Sequence, residues 1–150
     1  MQDLPVGIQS FEKLRKGNYL YVDKTRQILR LIERGSTLFL SRPRRFGKSL
    51  LVSTLQALFE GRKDLFEGLY ITDKVDWEQR YPVIKLDWSN ITHASAETIE
   101  QATMAHLQAL AASWEITLTQ KYAVDYFGAL LRLLHQKTGK QVVVLVDEYD

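Results

Sequence analysis

Residues 142–146 read Val-Val-Val-Leu-Val, five consecutive apolar residues of which four are valine, and they run straight into Asp147 and Glu148. β-Branched side chains suit a pleated strand, and a strand that is apolar at every position has no face for solvent. Such a strand belongs in a parallel sheet covered on both faces. An aspartate at the carboxyl end of that strand points to the crevice where ligands of open α/β sheets bind. Taken alone, the same pattern also suits a strand that simply leaves the core into a polar turn.

The rest of the chain alternates in the way a parallel sheet requires. Gly17-Asn18 is a turn signal, followed by an extended stretch from Tyr19 to Val22. Asp23 reads as an N-cap. Ile28, Leu31 and Ile32 share a helical face, and Gly35 is a stop. Thr37–Leu40 is a short β-type run. Helical spacing of Leu51, Leu55, Leu58 and Phe59 predicts a helix opening near Lys48 and closing before Gly61. Residues 62–81 read as short pieces and loops, and 83–88 as a strand. Helices are predicted from about 96 to 112, with Ile99, Ala102, His106 and Leu110 on one face, and over 118–137, ended by Gly139. Strands separated by helices make an α/β domain with a parallel sheet and helices on both faces.

The most informative motif is Ser41-Arg-Pro-Arg-Arg-Phe-Gly-Lys-Ser49, placed between a predicted strand and a predicted helix. That is the setting of a phosphate loop. A glycine at 47 lets backbone approach phosphate oxygens with no Cβ in the way, and a helix N-terminus adds partial positive charge. Lys48 can reach the β- and γ-phosphates of a nucleotide, and the Ser49 hydroxyl can bind Mg²⁺. The full pattern G-x-x-x-x-G-K-[ST] has its first glycine at position 42, where this chain has Arg42. The alternative is a basic surface turn ahead of a helix. Asp147 would complete the site as a Mg²⁺ ligand, with Glu148 orienting and deprotonating the attacking water. The two halves stand 99 residues apart in the chain order such a site needs.

Charge supports the loop. The chain carries +2 overall, yet Arg42, Arg44, Arg45 and Lys48 fall within seven residues that contain no acid. Without those four the balance turns negative, so the excess is local and asks for a local anion. Compensation of triphosphate charge ranks first for these arginines, ahead of single-stranded nucleic acid or plain solvation. There is no cysteine among the 150 residues, which excludes disulfides, thiolate metal sites and a cysteine nucleophile. No apolar run approaches the ~18 residues of a membrane span. Asp3, Glu12, Lys13, Arg15 and Lys16 interrupt any secretory signal, so a cytoplasmic protein is expected.

Five stretches together resemble the AAA-ATPase-like family of P-loop NTPases: residues 4–11, 17–25, 39–49, 81–87 and 144–150. The resemblance runs through nearly the whole chain in order. The family's loop is typically written Arg-Pro-Arg-Arg, so Arg42 looks like its own variant. The resemblance implies a P-loop fold of the additional-strand, catalytic-glutamate type, with 142–146 as the Walker B strand. It divides the chain into an N-terminal arm and helix, 1–36, and an ATPase core, 37–150, that is incomplete. On this reading the core is truncated after the Walker B strand. The next strand would lie between 37–41 and 142–146, and a C-terminal domain resembling PD-(D/E)XK nucleases, through which nucleic acid would bind, would be missing. In related ATPases a segment at the place of Tyr21 and Val22 packs on adenine. The alternative for these two is a staple fixing the start of the following helix.

The expected cofactors are ATP and Mg²⁺. Lys48 and Glu148 are the candidate catalytic residues. Arg44, Arg45, Phe46, Gly47, Lys48 and Ser49, with Tyr21 and Val22, are the candidate nucleotide contacts, and Ser49 and Asp147 the candidate metal ligands. The expected activity is Mg²⁺-dependent ATP hydrolysis by the intact protein. The competing readings are a non-catalytic nucleotide switch and a basic nucleic-acid module. Asp87, at the end of a predicted strand, either faces the crevice or caps a turn. His93, His106 and His135 have no metal-type spacing.

Overall fold

The computed structural model describes residues 2–35, 37–41, 43, 46–88 and 95–147. They form two compact units, residues 1–80 and 81–150.

The first unit is built from three helices, α1 (Phe11–Lys16), α2 (Thr25–Glu33) and α3 (Lys48–Phe59), and two 3₁₀ turns, Lys63–Leu65 and Tyr70–Asp73. Ser10 caps α1 by accepting from the Lys13 N–H. The core is aromatic. Phe11 and Phe66 are fully buried, their ring centres 4.8 Å apart, and Phe66 lies 5.0 Å from Trp77. Ile28 of α2 and Ala57 and Leu58 of α3 close around them. Helices from both sides of residue 36 therefore share one core, and the compact units divide at 80/81.

Many ties in this unit run from side chain to backbone. Arg15 donates to the Leu65 carbonyl at 2.7 Å and the Glu67 carbonyl at 2.6 Å. The Trp77 indole N–H donates to the Thr72 carbonyl at 2.8 Å. Asp23 Oδ1 accepts from the Thr25 N–H at 2.8 Å and the Thr25 hydroxyl at 2.6 Å, and Oδ2 accepts from the Tyr70 N–H at 2.7 Å. Thr25 Oγ1 in turn accepts from the Ile71 N–H at 3.2 Å. Asp23 thus serves the start of α2 as expected, although the N-cap position itself is Lys24.

The second unit pairs β1 (Val83–Asp87) with β2 (Val143–Asp147) in parallel, Val83 opposite Val143 through Asp87 opposite Asp147. The chain between them forms α4 (Ala96–Ser113) and α5 (Ala123–Thr138). Ser95 caps α4 by accepting from the Thr98 N–H, and Gly139 ends α5 in the left-handed region at φ 66°. Ile84 is buried with Leu107 and Ala111 of α4 and Tyr126, Leu130 and Leu134 of α5.

Three expectations change. Residues 37–41 do not form a strand, and Leu38 is 50% and Phe39 74% exposed. β-Propensity is realised only against a neighbouring strand, and the sheet described has two strands, β1 and β2. The expected geometry of a slot between 37–41 and 142–146 loses its first wall, since 37–41 is not a strand. Nor is β2 covered on both faces along its length: Val144 and Val146 are 37% and 45% exposed. The ladder sets Val144 opposite Ile84 and Val146 opposite Leu86, so all four lie on one face, and there Ile84 and Leu86 of β1 join the core with α4 and α5 while the two valines of β2 stay outside it. Finally, the buried side of α4 is that of Leu107 and Ala111, one residue on from the expected His106 and Leu110 face, because α4 and α5 pack through Leu107. His106 is exposed, with Nε2 2.7 Å from the Lys85 carbonyl oxygen.

Candidate nucleotide site

The sequence from Phe46 to Ser49 folds as a left-handed turn into a helix. Gly47 is the N-cap of α3 with φ 76° and ψ 22°, a conformation that costs a residue with a Cβ about 1–2 kcal/mol. A Cβ built on it would meet nothing within 4 Å, so the space beside this backbone is open. Lys48 and Ser49 are the first two residues of α3, and the Leu51 N–H donates to the Gly47 carbonyl at 3.0 Å. Phe46 is 63% exposed. Lys48 and Ser49 therefore stand on the first turn of a helix, where backbone N–H groups lack intrahelical partners and the helix dipole favours an anion. Arg42, Arg44 and Arg45 lie outside the described residues, as does Glu148.

Tyr21 and Val22 part company. Tyr21 packs edge-on against Phe11, ring centres 5.3 Å apart, and is half-buried on the aromatic core. Burial pushes its phenol up and the Asp23 carboxylate adds to that, against the opposing Lys24 backbone and Thr54 side chain. Val22 is 68% exposed.

Asp147 lies in the second unit, at the carboxyl end of β2, and is 5% exposed. Its carbonyl accepts from the Trp88 N–H at 3.2 Å. The ladder sets Asp87 directly opposite. Partners across a parallel ladder show their side chains on the same face, with strands about 4.8 Å apart. Two aspartates thus end the two strands side by side. A signal for this was present: Ile84-Lys-Leu-Asp87 and Val144-Leu-Val-Asp147 share the pattern of an apolar strand closing on Asp at the same offset. Among the described residues no group of three or more His, Cys, Asp or Glu is placed to hold a metal ion, and no helix is long and apolar enough to cross a membrane.

A helix opened by Gly-Lys-Ser thus stands in one unit and a parallel strand ending on aspartate in the other. The model of the AAA-ATPase-like family, described as "Predicted AAA-ATPase", matches residues 5–150, and the chain belongs to that family. A protein of Azotobacter chroococcum mcd 1, described as an uncharacterized protein in the vnfD 5′ region, is 46% identical over 148 residues. That match takes in 98% of this chain and 29% of the relative, so the chain spans under a third of that protein's length. No solved structure matches.

Proposed function

We propose that the chain is the ATP-binding part of a P-loop ATPase that hydrolyses the β–γ bond with Mg²⁺. The observation that carries this is Gly47: a left-handed glycine with open space at its missing Cβ, opening a helix whose first two residues are Lys and Ser. The residues fit Mg²⁺-ATP in kind, offering a backbone able to approach phosphate, an ammonium, a hydroxyl and a strand-end carboxylate. Bound Mg²⁺-ATP supplies the phosphoryl group to be transferred. Lys48 would neutralise charge on the β- and γ-phosphates, with Arg44 and Arg45 contributing from the loop. Ser49 and Asp147 would hold the cation, Asp147 through water in keeping with the hydration Mg²⁺ retains. Asp87, its neighbour across the ladder, would add negative charge on the same face. Glu148 would accept the proton of the attacking water. Val22 is the exposed candidate for contact with the base, while Tyr21 supports it from the core.

The test is equilibrium binding of a fluorescent ATP analogue with Mg²⁺ to the chain and to Lys48→Ala. Affinity should fall at least about tenfold, the loss of a charge-assisted contact, with the unfolding midpoint unchanged. Equal affinity at matched stability would falsify the phosphate-loop assignment. Loss of phosphate release in Glu148→Gln with nucleotide binding kept separates hydrolysis from a passive switch.

A further inference from the structure

Helix α2 carries Arg26, Arg30 and Arg34 at four-residue spacing, the last at its C-cap. The side of the helix turned to the core holds Thr25 and Ile28, both buried, with Leu29 and Ile32 packed beside them. All three arginines are exposed, on a strip about 12 Å long at 1.5 Å per residue. At its start the strip meets an aromatic ring: the Arg26 guanidinium carbon lies 5.6 Å, and Lys74 Nζ 5.8 Å, from the centre of the Tyr70 ring. Tyr70 is 45% exposed. Its position is fixed from behind, because its N–H donates to Asp23 and the next N–H, that of Ile71, is held by Thr25 Oγ1.

Acids stand nearby, Glu33 on the same helix and Asp73 next to Lys74 in sequence. Yet among the described residues none of Arg26, Arg30, Arg34 and Lys74 forms an ion pair. We propose that Arg26, Arg30, Arg34 and Lys74 around Tyr70 form a docking surface for single-stranded nucleic acid. The cations face successive phosphates and the Tyr70 ring stacks on a base. A row of arginines without carboxylate partners suits a polyanion. The exposed ring decides which one: Arg26 and Lys74 lie over the Tyr70 ring, a base takes a cation's place there and frees it for a phosphate, and single strands offer unstacked bases where duplexes do not. An acidic protein would use the charges and leave the ring idle. This surface does not depend on the phosphate loop.

The test is fluorescence anisotropy of a labelled mixed-sequence DNA strand of about 20 nucleotides, enough to fill a single-strand site. It is titrated with the 150-residue chain at salt from roughly 50 to 200 mM. The triple variant Arg26→Glu, Arg30→Glu, Arg34→Glu should weaken binding at least about tenfold. It should also lower the salt slope by about 2, three contacts at ~0.7 each. Tyr70→Ala should weaken it roughly fivefold or more, while Tyr70→Phe, which keeps the ring, should bind as the parent does. The conservative triple of Arg to Lys should retain most of the salt slope, and Lys48→Ala should leave DNA binding in place. The proposal is overturned by a triple variant that binds normally, or by Tyr70→Ala binding normally. It is equally overturned if Lys48→Ala alone abolishes binding, which would move the site to the 42–48 loop. Poly-glutamate competing as well as DNA, with the same dependence on the three arginines, would point to an acidic protein and overturn it too.

Discussion

Residues 37–41 and 142–146 are two five-residue runs that both read as strands, and only the second becomes one, as Val143–Asp147. Val143–Asp147 has Val83–Asp87 to pair with and forms a full parallel ladder. Thr37-Leu-Phe-Leu-Ser41 lies in no strand, with its apolar side chains largely exposed. The difference is one of partners, since extended backbone is stabilised by the neighbour that accepts its hydrogen bonds. It also separates two ways of building the candidate site. Asp147 owes its position and its neighbour Asp87 to the ladder. Gly47, Lys48 and Ser49 owe theirs to a local event, a left-handed glycine starting a helix, which needs no strand before it. The first unit holds its loops with side-chain ties such as those of Asp23, Thr25 and Arg15, where the second uses backbone pairing.

The largest effect should come from the ladder. Ile84 is fully buried between β1 and the helices, so Ile84→Ala should cost about 2–5 kcal/mol in denaturant unfolding. A cost below ~1 kcal/mol would show that β1 and β2 are not the frame of the second unit. Next comes the polar node of the first unit. Thr25 is fully buried, and Thr25→Val would strip the Ile71 N–H and Asp23 of a partner, for about 1–3 kcal/mol. Asp23 tests the same node by pH. Burial works against its ionisation, but hydrogen bonds from the Thr25 hydroxyl and from the Tyr70 and Thr25 N–H groups, with the Arg15 charge, outweigh that and hold it below its ordinary value. A depressed carboxylate stabilises the fold above its unfolded pKa, near 4, and that stability is lost as pH falls through the lower folded value. Asp23→Asn should therefore lower the thermal midpoint at neutral pH, and the gap from the parent should narrow in acid. A gap independent of pH would mean the carboxylate's charge is not what ties Tyr70 in place.

Gly47→Ala should cost about 1 kcal/mol through its left-handed backbone alone, since the added methyl meets nothing. A neutral result would mean the turn is not held at positive φ in solution. Smallest of all, Leu38→Ser should change stability by no more than ~0.5 kcal/mol, because the side chain is already half exposed. A loss as large as that of Ile84→Ala would break the comparison and place 37–41 in a core.

Much was legible before any coordinates. Helical spacing and stop signals located α2, α3, α4 and α5 to within a few residues, because an i, i+4 pattern and a terminal glycine are local properties of the chain. The largest slip among these was the start of α5, expected at 118 and found at Ala123. The sheet order that the family resemblance implies also pairs the strand at 83–88 in parallel with that at 142–146, and 83–87 does pair with 143–147. The Gly-Lys-Ser turn needed only its own residues.

What the amino-acid sequence alone determined is thus helices α2 to α5, the two strands β1 and β2, and the identity of the Gly-Lys-Ser turn and the strand-end residues, whereas α1 was not read from it. The tertiary structure alone decided the register that sets Asp87 beside Asp147, the burial of Tyr21 against Phe11 while Val22 stays outside, and the tie from Asp23 to a segment 47 residues away. It also decided that 37–41 is not a strand. The physical reason is common to all four. Helix periodicity and capping act within one or two turns of chain, whereas ladders, ring packing and side-chain-to-backbone ties depend on which distant segments the fold brings into reach.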